Sequence, residues 1–239
     1  MVPNIFLLER AGGKPVATAF RTEGLSAADP FADGREIAWN EPGRIAAGRV
    51  AWSGMLDSAA FPHTETLVVH AGEVRLSNGA TTLVLRPGQS AVITRGTAVQ
   101  IAAEPGSRWA FCAATGETSA EPGLQELLAD APLTPSNPPA AAMLIGETPS
   151  CRSCNAYDDD AAGIRAGTWD STPYRRIVRP QPVAELMHLL AGSVELADAD
   201  GKVTRVETGD TVFVAQGAPS AWDSREHVAK FYLVQENGG

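Results

Sequence analysis

The strongest constraint on this chain is that it repeats itself. Glu65-Thr-Leu-Val-Val-His-Ala-Gly72 matches Glu185-Leu-Met-His-Leu-Leu-Ala-Gly192, and the stretch from Arg86-Pro-Gly88 to Gly96 matches that from Glu207-Thr-Gly209 to Gly217. Ala47-Gly48 and Trp52 have looser partners in Ala166-Gly167 and Trp169, and Phe111 has one in Tyr232. The Glu65–Glu185, Gly88–Gly209, Gly96–Gly217 and Phe111–Tyr232 matches keep one register, about 120 residues apart, so the 239-residue chain holds one structural unit twice.

The unit reads as β structure. Val68-Val69, Thr82 to Leu85, Ala91 to Ile93, Val203 to Val206 and Val212 to Val214 are short β-rich runs. Asn78-Gly79, Pro87-Gly88, Asp200-Gly201 and Gly209-Asp210 separate them, and such pairs supply the positive φ that tight hairpins need. Many short strands at close spacing, twice over, predict an all-β fold of two tandem jelly-roll barrels. The units are expected over residues 35–113 and 149–239. Residues 1–34 read as an arm, and residues 114–148, with Pro132, Pro135, Pro138 and Pro139, as a linker. Within that linker, Gly123 to Ala129 has helical character and predicts a short helix.

Charge and composition narrow the partners. The net charge is −9 and no Lys/Arg cluster is present, so nucleic acid and membrane surfaces are excluded as expected partners. The apolar run Ile5 to Leu8 ends at Glu9-Arg10 and is too short for a signal-peptide core, which predicts a cytoplasmic protein. Cys151-Arg152-Ser153-Cys154 lacks a second cysteine pair or a histidine at ligand spacing, so it reads as small residues packing in an extended strand.

The order Ala166-Gly167-Thr-Trp169, Glu185 to Gly192, Asp200-Gly201, Gly209-Asp210, Gly217 and Ala221-Trp222 resembles the cupin superfamily. Within it, the chain is similar to the group that includes ureidoglycine aminohydrolase-like proteins. The resemblance covers both halves, the second more closely, and implies a bicupin. Metal-binding cupins place a His-x-His pair before the motif glutamate and a third histidine after the last glycine of the second motif. By that resemblance Glu65 and Glu185 are the motif glutamates. The histidine positions hold Ala59, Phe61 and Val99 in the first copy and Arg179, Gln181 and Ser220 in the second. The resemblance leaves room for a divalent metal cofactor, but a lone carboxylate binds a transition metal poorly.

Strand alternation sets His63, Glu65, Leu67 and Val69 on one face, which makes His63 and Glu65 the candidates for a substitute metal site, an acid–base pair or a plain hydrogen bond. Val183, Glu185, Met187 and Leu189 share a face in the second copy, leaving His188 among leucines on an apolar outer face that needs cover. His227 reads as exposed. The second copy offers the richer pocket: Glu185, Arg179, Gln181, Ser220, Trp222 and Met187 are its candidate binding residues, suited to a small polar or carboxylate-bearing molecule. The blander alternative is that Glu185 pairs with Arg179 and Trp222 fills a core.

Three functions follow. The first is a small-molecule-binding bicupin without the usual histidine-rich metal site. The others are a metal-dependent hydrolase like the resembled group and a metal-free acid–base isomerase or epimerase using His63 and Glu65. Apolar outer faces predict self-association as a homodimer.

Overall fold

The computed structural model describes residues 4–236. Twenty-two strands build it, and among the described residues the only helical elements are two three-residue 3-10 turns. Among the described residues no helix is long and apolar enough to cross a membrane. The arm contains β1 (Ile5–Glu9) and β2 (Arg21–Thr22). The first copy runs through β3 (Arg35–Glu41), β4 (Ile45–Ala51), β5 (Gly54–Ser58), β6 (Thr64–Ala71), β7 (Val74–Ser77), β8 (Thr82–Leu85), β9 (Ser90–Ile93), β10 (Val99–Ala103) and β11 (Arg108–Ala114). The linker holds β12 (Leu124–Leu127) and β13 (Thr134–Ser136). The second copy repeats the first strand for strand: β14 (Cys151–Asp159), β15 (Ile164–Ser171), β16 (Tyr174–Pro180), β17 (Ala184–Ala191), β18 (Ser193–Ala197), β19 (Val203–Glu207), β20 (Thr211–Val214), β21 (Pro219–Ser224) and β22 (Val228–Gln235).

Each copy is a jelly roll made from a seven-stranded and a four-stranded antiparallel sheet. In the first copy the orders are β12-β9-β6-β11-β4-β3-β2 and β5-β10-β7-β8; in the second they are β1-β20-β17-β22-β15-β14-β13 and β16-β21-β18-β19. The fold is therefore all-β with two tandem jelly rolls, as the repeat predicts. The matched glycines have physical reasons. A Cβ on Gly48 would lie 2.0 Å from the Glu36 carbonyl oxygen, and one on Gly167 would lie 2.0 Å from that of Cys154, so only glycine lets β4 and β15 close onto their neighbours. Gly72 and Gly192 turn the chain out of β6 and β17 with φ of 71° and 76°.

The segments outside the copies are not passive connectors. β1 leaves the arm and adds to β20 of the second copy, while β12, which leads into the second copy, adds to β9 of the first. β2 and β13 stay with β3 and β14, the strands they precede. The copies thus exchange one leading strand each. The short helix expected over Gly123 to Ala129 is corrected here: Leu124–Leu127 is strand β12, because the free edge of β9 offers Leu124 and Leu127 a ladder and a buried face that outweigh local helical preference.

The apolar outer faces of the two seven-stranded sheets pack against each other. Val68, Ala110, Cys112, Trp39 and Ile45 of one copy form a single buried cluster with Leu186, Phe213, Phe231 and Leu233 of the other, joined by Leu8 of the arm. His188 lies in this interface, as its parity predicts, with its Nδ1 2.9 Å from the Thr211 hydroxyl, and His70 Nε2 meets the same hydroxyl at 2.7 Å. A hydroxyl donates once here and accepts once, so one imidazole accepts and the other donates. Burial pushes both histidines far below the ordinary value, His70 to about 3, with the neighbouring His188 and Arg108 adding to the effect, and His188 to about 4. The faces that motivated the homodimer expectation are satisfied within one chain.

Candidate functional site

The interior of the second copy holds an ion pair among aromatic rings. Glu185 on β17 and Lys230 on β22 meet at 2.7 Å from Oε1 to Nζ, and Gln181 donates its side-chain amide to Glu185 Oε2 at 2.9 Å. The Lys230 ammonium lies 4.7 Å from the Trp169 ring centroid and 5.2 Å from that of Trp222, with Met187 Sδ at 3.1 Å. Desolvated cation–π contacts of this kind are worth up to about 2 kcal/mol each. Trp222 in turn stacks on Tyr174 with centroids 5.3 Å apart, and its indole N–H donates to Ser224 Oγ at 3.1 Å. The ammonium is thereby fixed in place.

Beside this pair opens a cleft of about 430 Å³, lined by Glu185, Lys230, Arg179, Trp169, Cys151 and Tyr232 among others, with Ser136 to Pro139 of the linker forming one wall. Two features of β16 shape it. Tyr174 and Arg176 face the interior behind the cleft at alternate positions, and a bulge between Arg176 and Arg179 shifts the parity so that Arg179 lines the cleft itself. Ile177 and Val178, inside the bulge, are exposed. Burial raises the Cys151 thiol above its ordinary value, only partly opposed by Lys230, so it stays neutral in the cleft wall.

The first copy is filled instead. Phe31, Phe61, Trp109 and Phe111 are buried in its interior, with Phe31 and Trp109 in edge contact at 5.1 Å. Glu65 is wholly buried and receives Arg35 Nη2 and His63 Nε2, each at 2.8 Å on Oε2. Asp29 completes the network through Arg35 Nε at 2.7 Å, and the guanidinium lies 4.1 Å from the Phe111 ring centroid. Burial pushes the Glu65 carboxyl up, but Arg35 and His63 outweigh it and hold the pKa below the ordinary value. His63 and Glu65 are thus brought together as their parity predicts, within a network that Arg35 dominates. His63 also borders a mouth cleft with Phe61 and Arg95.

Of the six residues expected in the second pocket, Glu185 and Arg179 line the cleft. Gln181, Met187 and Trp222 stand behind them and hold the ion pair. Ser220 is buried away from it, with its hydroxyl 3.3 Å from the neighbouring Ala221 carbonyl and its own carbonyl accepting from Arg176. Glu185 pairs with Lys230 rather than Arg179. His227 is exposed, as expected, and its Nε2 lies 3.0 Å from Asp170 Oδ2. Sequence reasoning missed Lys230 and Arg35. The signal for Lys230 was a lysine in the inward series Val228, Lys230, Tyr232, Val234, two residues before the position already matched to Phe111.

A divalent metal does not fit these donors. Both Glu185 oxygens accept from Lys230 and Gln181, Glu65 is held by Arg35 and His63, and among the described residues no three His, Cys, Asp or Glu gather to hold a metal. The carboxylate that the resemblance assigns to a metal is taken by an ammonium in one copy and a guanidinium in the other.

The comparisons agree with this architecture. The EutQ-like cupin domain model matches residues 159–232. A structure from Pseudomonas syringae pv. tomato, a protein with unknown function of the DUF861 family, is 48% identical, with 98% of this chain and 100% of that chain covered and a TM-score of 0.94. The chain belongs to the DUF861 family. This DUF861 chain also shares its fold with the Ylba protein of E. coli, of the same family, at 13% identity, a TM-score of 0.55 and coverage of 99% of this chain and 93% of that one. A cupin 2 conserved barrel domain protein from Leptotrichia buccalis shares it at 16% identity and a TM-score of 0.51, with 84% and 88% covered. No curated protein matches the chain. The cupin superfamily membership that the motifs imply holds.

Proposed function

We propose that this DUF861 cupin binds a small carboxylate-bearing molecule in the cleft of its second copy, using a built-in ammonium where related motifs would use a metal. The carrying observation is the Lys230–Glu185 pair at 2.7 Å on the wall of that cleft, caged by Trp169 and Trp222. A cation held by rings on a rigid strand attracts an anion without the cost of ordering a flexible side chain. The aromatic wall supplies apolar contact for the rest of the ligand. The first copy, filled by four rings and a buried ion network, serves as the structural partner.

Trp169 and Trp222 flank the ammonium, so tryptophan emission reports on ligand entry. Titration of the full chain with propionate should change the emission saturably, and Lys230→Gln should lose the response. Stoichiometric transition metal in the untagged protein, required for the response, would overturn the proposal.

A further inference from the structure

The second interior carries more positive charge than its residues neutralise. Arg176 on β16 is nine-tenths buried, yet among the described residues no carboxylate pairs with it. Among the described residues its side chain makes one hydrogen bond, from Nη2 to the Ser220 carbonyl at 3.3 Å, and its buried Nε has no partner. Arg179, three residues on, likewise has a buried Nε without a partner and, among the described residues, forms no ion pair. The two guanidinium groups sense each other unfavourably and both share their surroundings with Tyr174, while Arg176 also feels Glu185. Burial, above all, disfavours the Arg176 charge.

A guanidinium does not shed its proton in a protein, so this imbalance is not relieved by titration. Three cations, Arg176, Arg179 and Lys230, face one carboxylate, Glu185, which already serves Lys230 and Gln181. Other acidic groups nearby are committed elsewhere: Asp170 to Arg152 and His227, and Asp223 to Arg175 and Arg225. Unpaired buried donors of this kind cost stability unless something accepts from them. The β16 bulge has a direct part in this, since without the parity shift Arg176 and Arg179 would point to opposite faces.

Resting on the reading that the cleft binds a carboxylate, we infer that its natural ligand is a small dianion, with one negative group at Lys230 and a second at Arg179, whose positive field the buried Arg176 behind it reinforces. Two carboxylates on a short chain or a single phosphate monoester share this chemistry. Arginine forks favour both, because two parallel N–H donors match two oxygens.

The test is calorimetric titration of the full-length chain at pH 8 with propionate, malonate, succinate and methyl phosphate. At least one dianion is expected to bind at least about tenfold more tightly than propionate, and whichever of the dicarboxylates or methyl phosphate leads identifies the source of the charge. In Arg179→Gln that advantage should fall below about threefold. Arg176→Lys, which keeps a charge but loses the fork, serves as the second variant should burial make Arg176→Gln unstable. Propionate binding as tightly as every dianion, or a dianion preference that survives both variants, overturns the dianion inference and leaves the carboxylate reading standing. No detectable binding of any of the four probes to the wild-type chain overturns the carboxylate reading itself.

Discussion

Lys230 and Trp109 occupy the same place in the two copies. Trp109 on β11 lies opposite Val69 and Val50, and Lys230 on β22 lies opposite Leu189 and Trp169, the matching residues of the second copy. One copy thus fills that position with an indole, and the other places a charge there with an indole on the neighbouring strand.

Removing either member of the Lys230–Glu185 pair leaves the other as an uncompensated buried charge. Lys230→Met is expected to lower unfolding free energy by about 3–5 kcal/mol, and Lys230→Met with Glu185→Met to recover most of that loss. Urea unfolding of the two single variants and the double variant gives the coupling directly. Additive losses would mean the pair is energetically idle.

Arg35→Met should reverse the pH response of the first copy. In the native chain the Glu65 carboxyl is held below its ordinary value, so its contribution is present above pH 4.5 and is lost as pH falls through the folded value. Without Arg35, burial raises the pKa of Glu65, and the stability it contributes is then lost as pH rises. The deficit of the variant against wild type, measured by urea midpoints, should therefore shrink from pH 7 to pH 5. Ligand affinity in the second copy should not change.

The histidine pair at the interface predicts acid sensitivity of a different origin. His70 and His188 are held at about 3 and about 4, against 6.5 when unfolded. Above pH 6.5 both states are neutral and the pair costs nothing. As pH falls towards 4 the unfolded chain takes up protons that the native chain refuses, so stability drops by at most about 1.4 kcal/mol per pH unit for each imidazole. His188→Gln should roughly halve that slope between pH 6 and pH 4.5, read by chemical denaturation at fixed temperature.

The arm strand is a structural member of the copy to which it does not belong in sequence. Leu8→Ala is expected to cost about 2–5 kcal/mol, since Leu8 is fully buried in the cluster between the sheets. Deleting residues 1–10 should lower the unfolding midpoint further and expose the edge of β20. A synthetic peptide of residues 4–10, added in trans, should restore the midpoint in a concentration-dependent way.

The repeat carried the fold because its glycines and alternating apolar residues are local requirements of hairpins and of close strand approach, visible at Gly48, Gly167, Gly72 and Gly192. Parity placed Glu185, Met187, His63 and His188 on their observed faces. Three features depend on longer-range facts. Leu124–Leu127 became a strand because an open edge was waiting for it. Arg179 reached the cleft because a bulge shifts the parity on β16. Lys230 and Arg35 became the partners of the two glutamates from strands distant in sequence, and only the register of those strands brings each pair together.

The exchange of β1 and β12 between copies has a consequence for the two interiors. In a two-fold pair of separate one-copy chains the same exchange would oblige both interiors to carry the same side chains, since symmetry repeats every residue. Written into one polypeptide, the exchange keeps the halves fastened together while lifting that obligation. One interior can then be packed with rings while the other keeps charges that a symmetric assembly would have to bury twice.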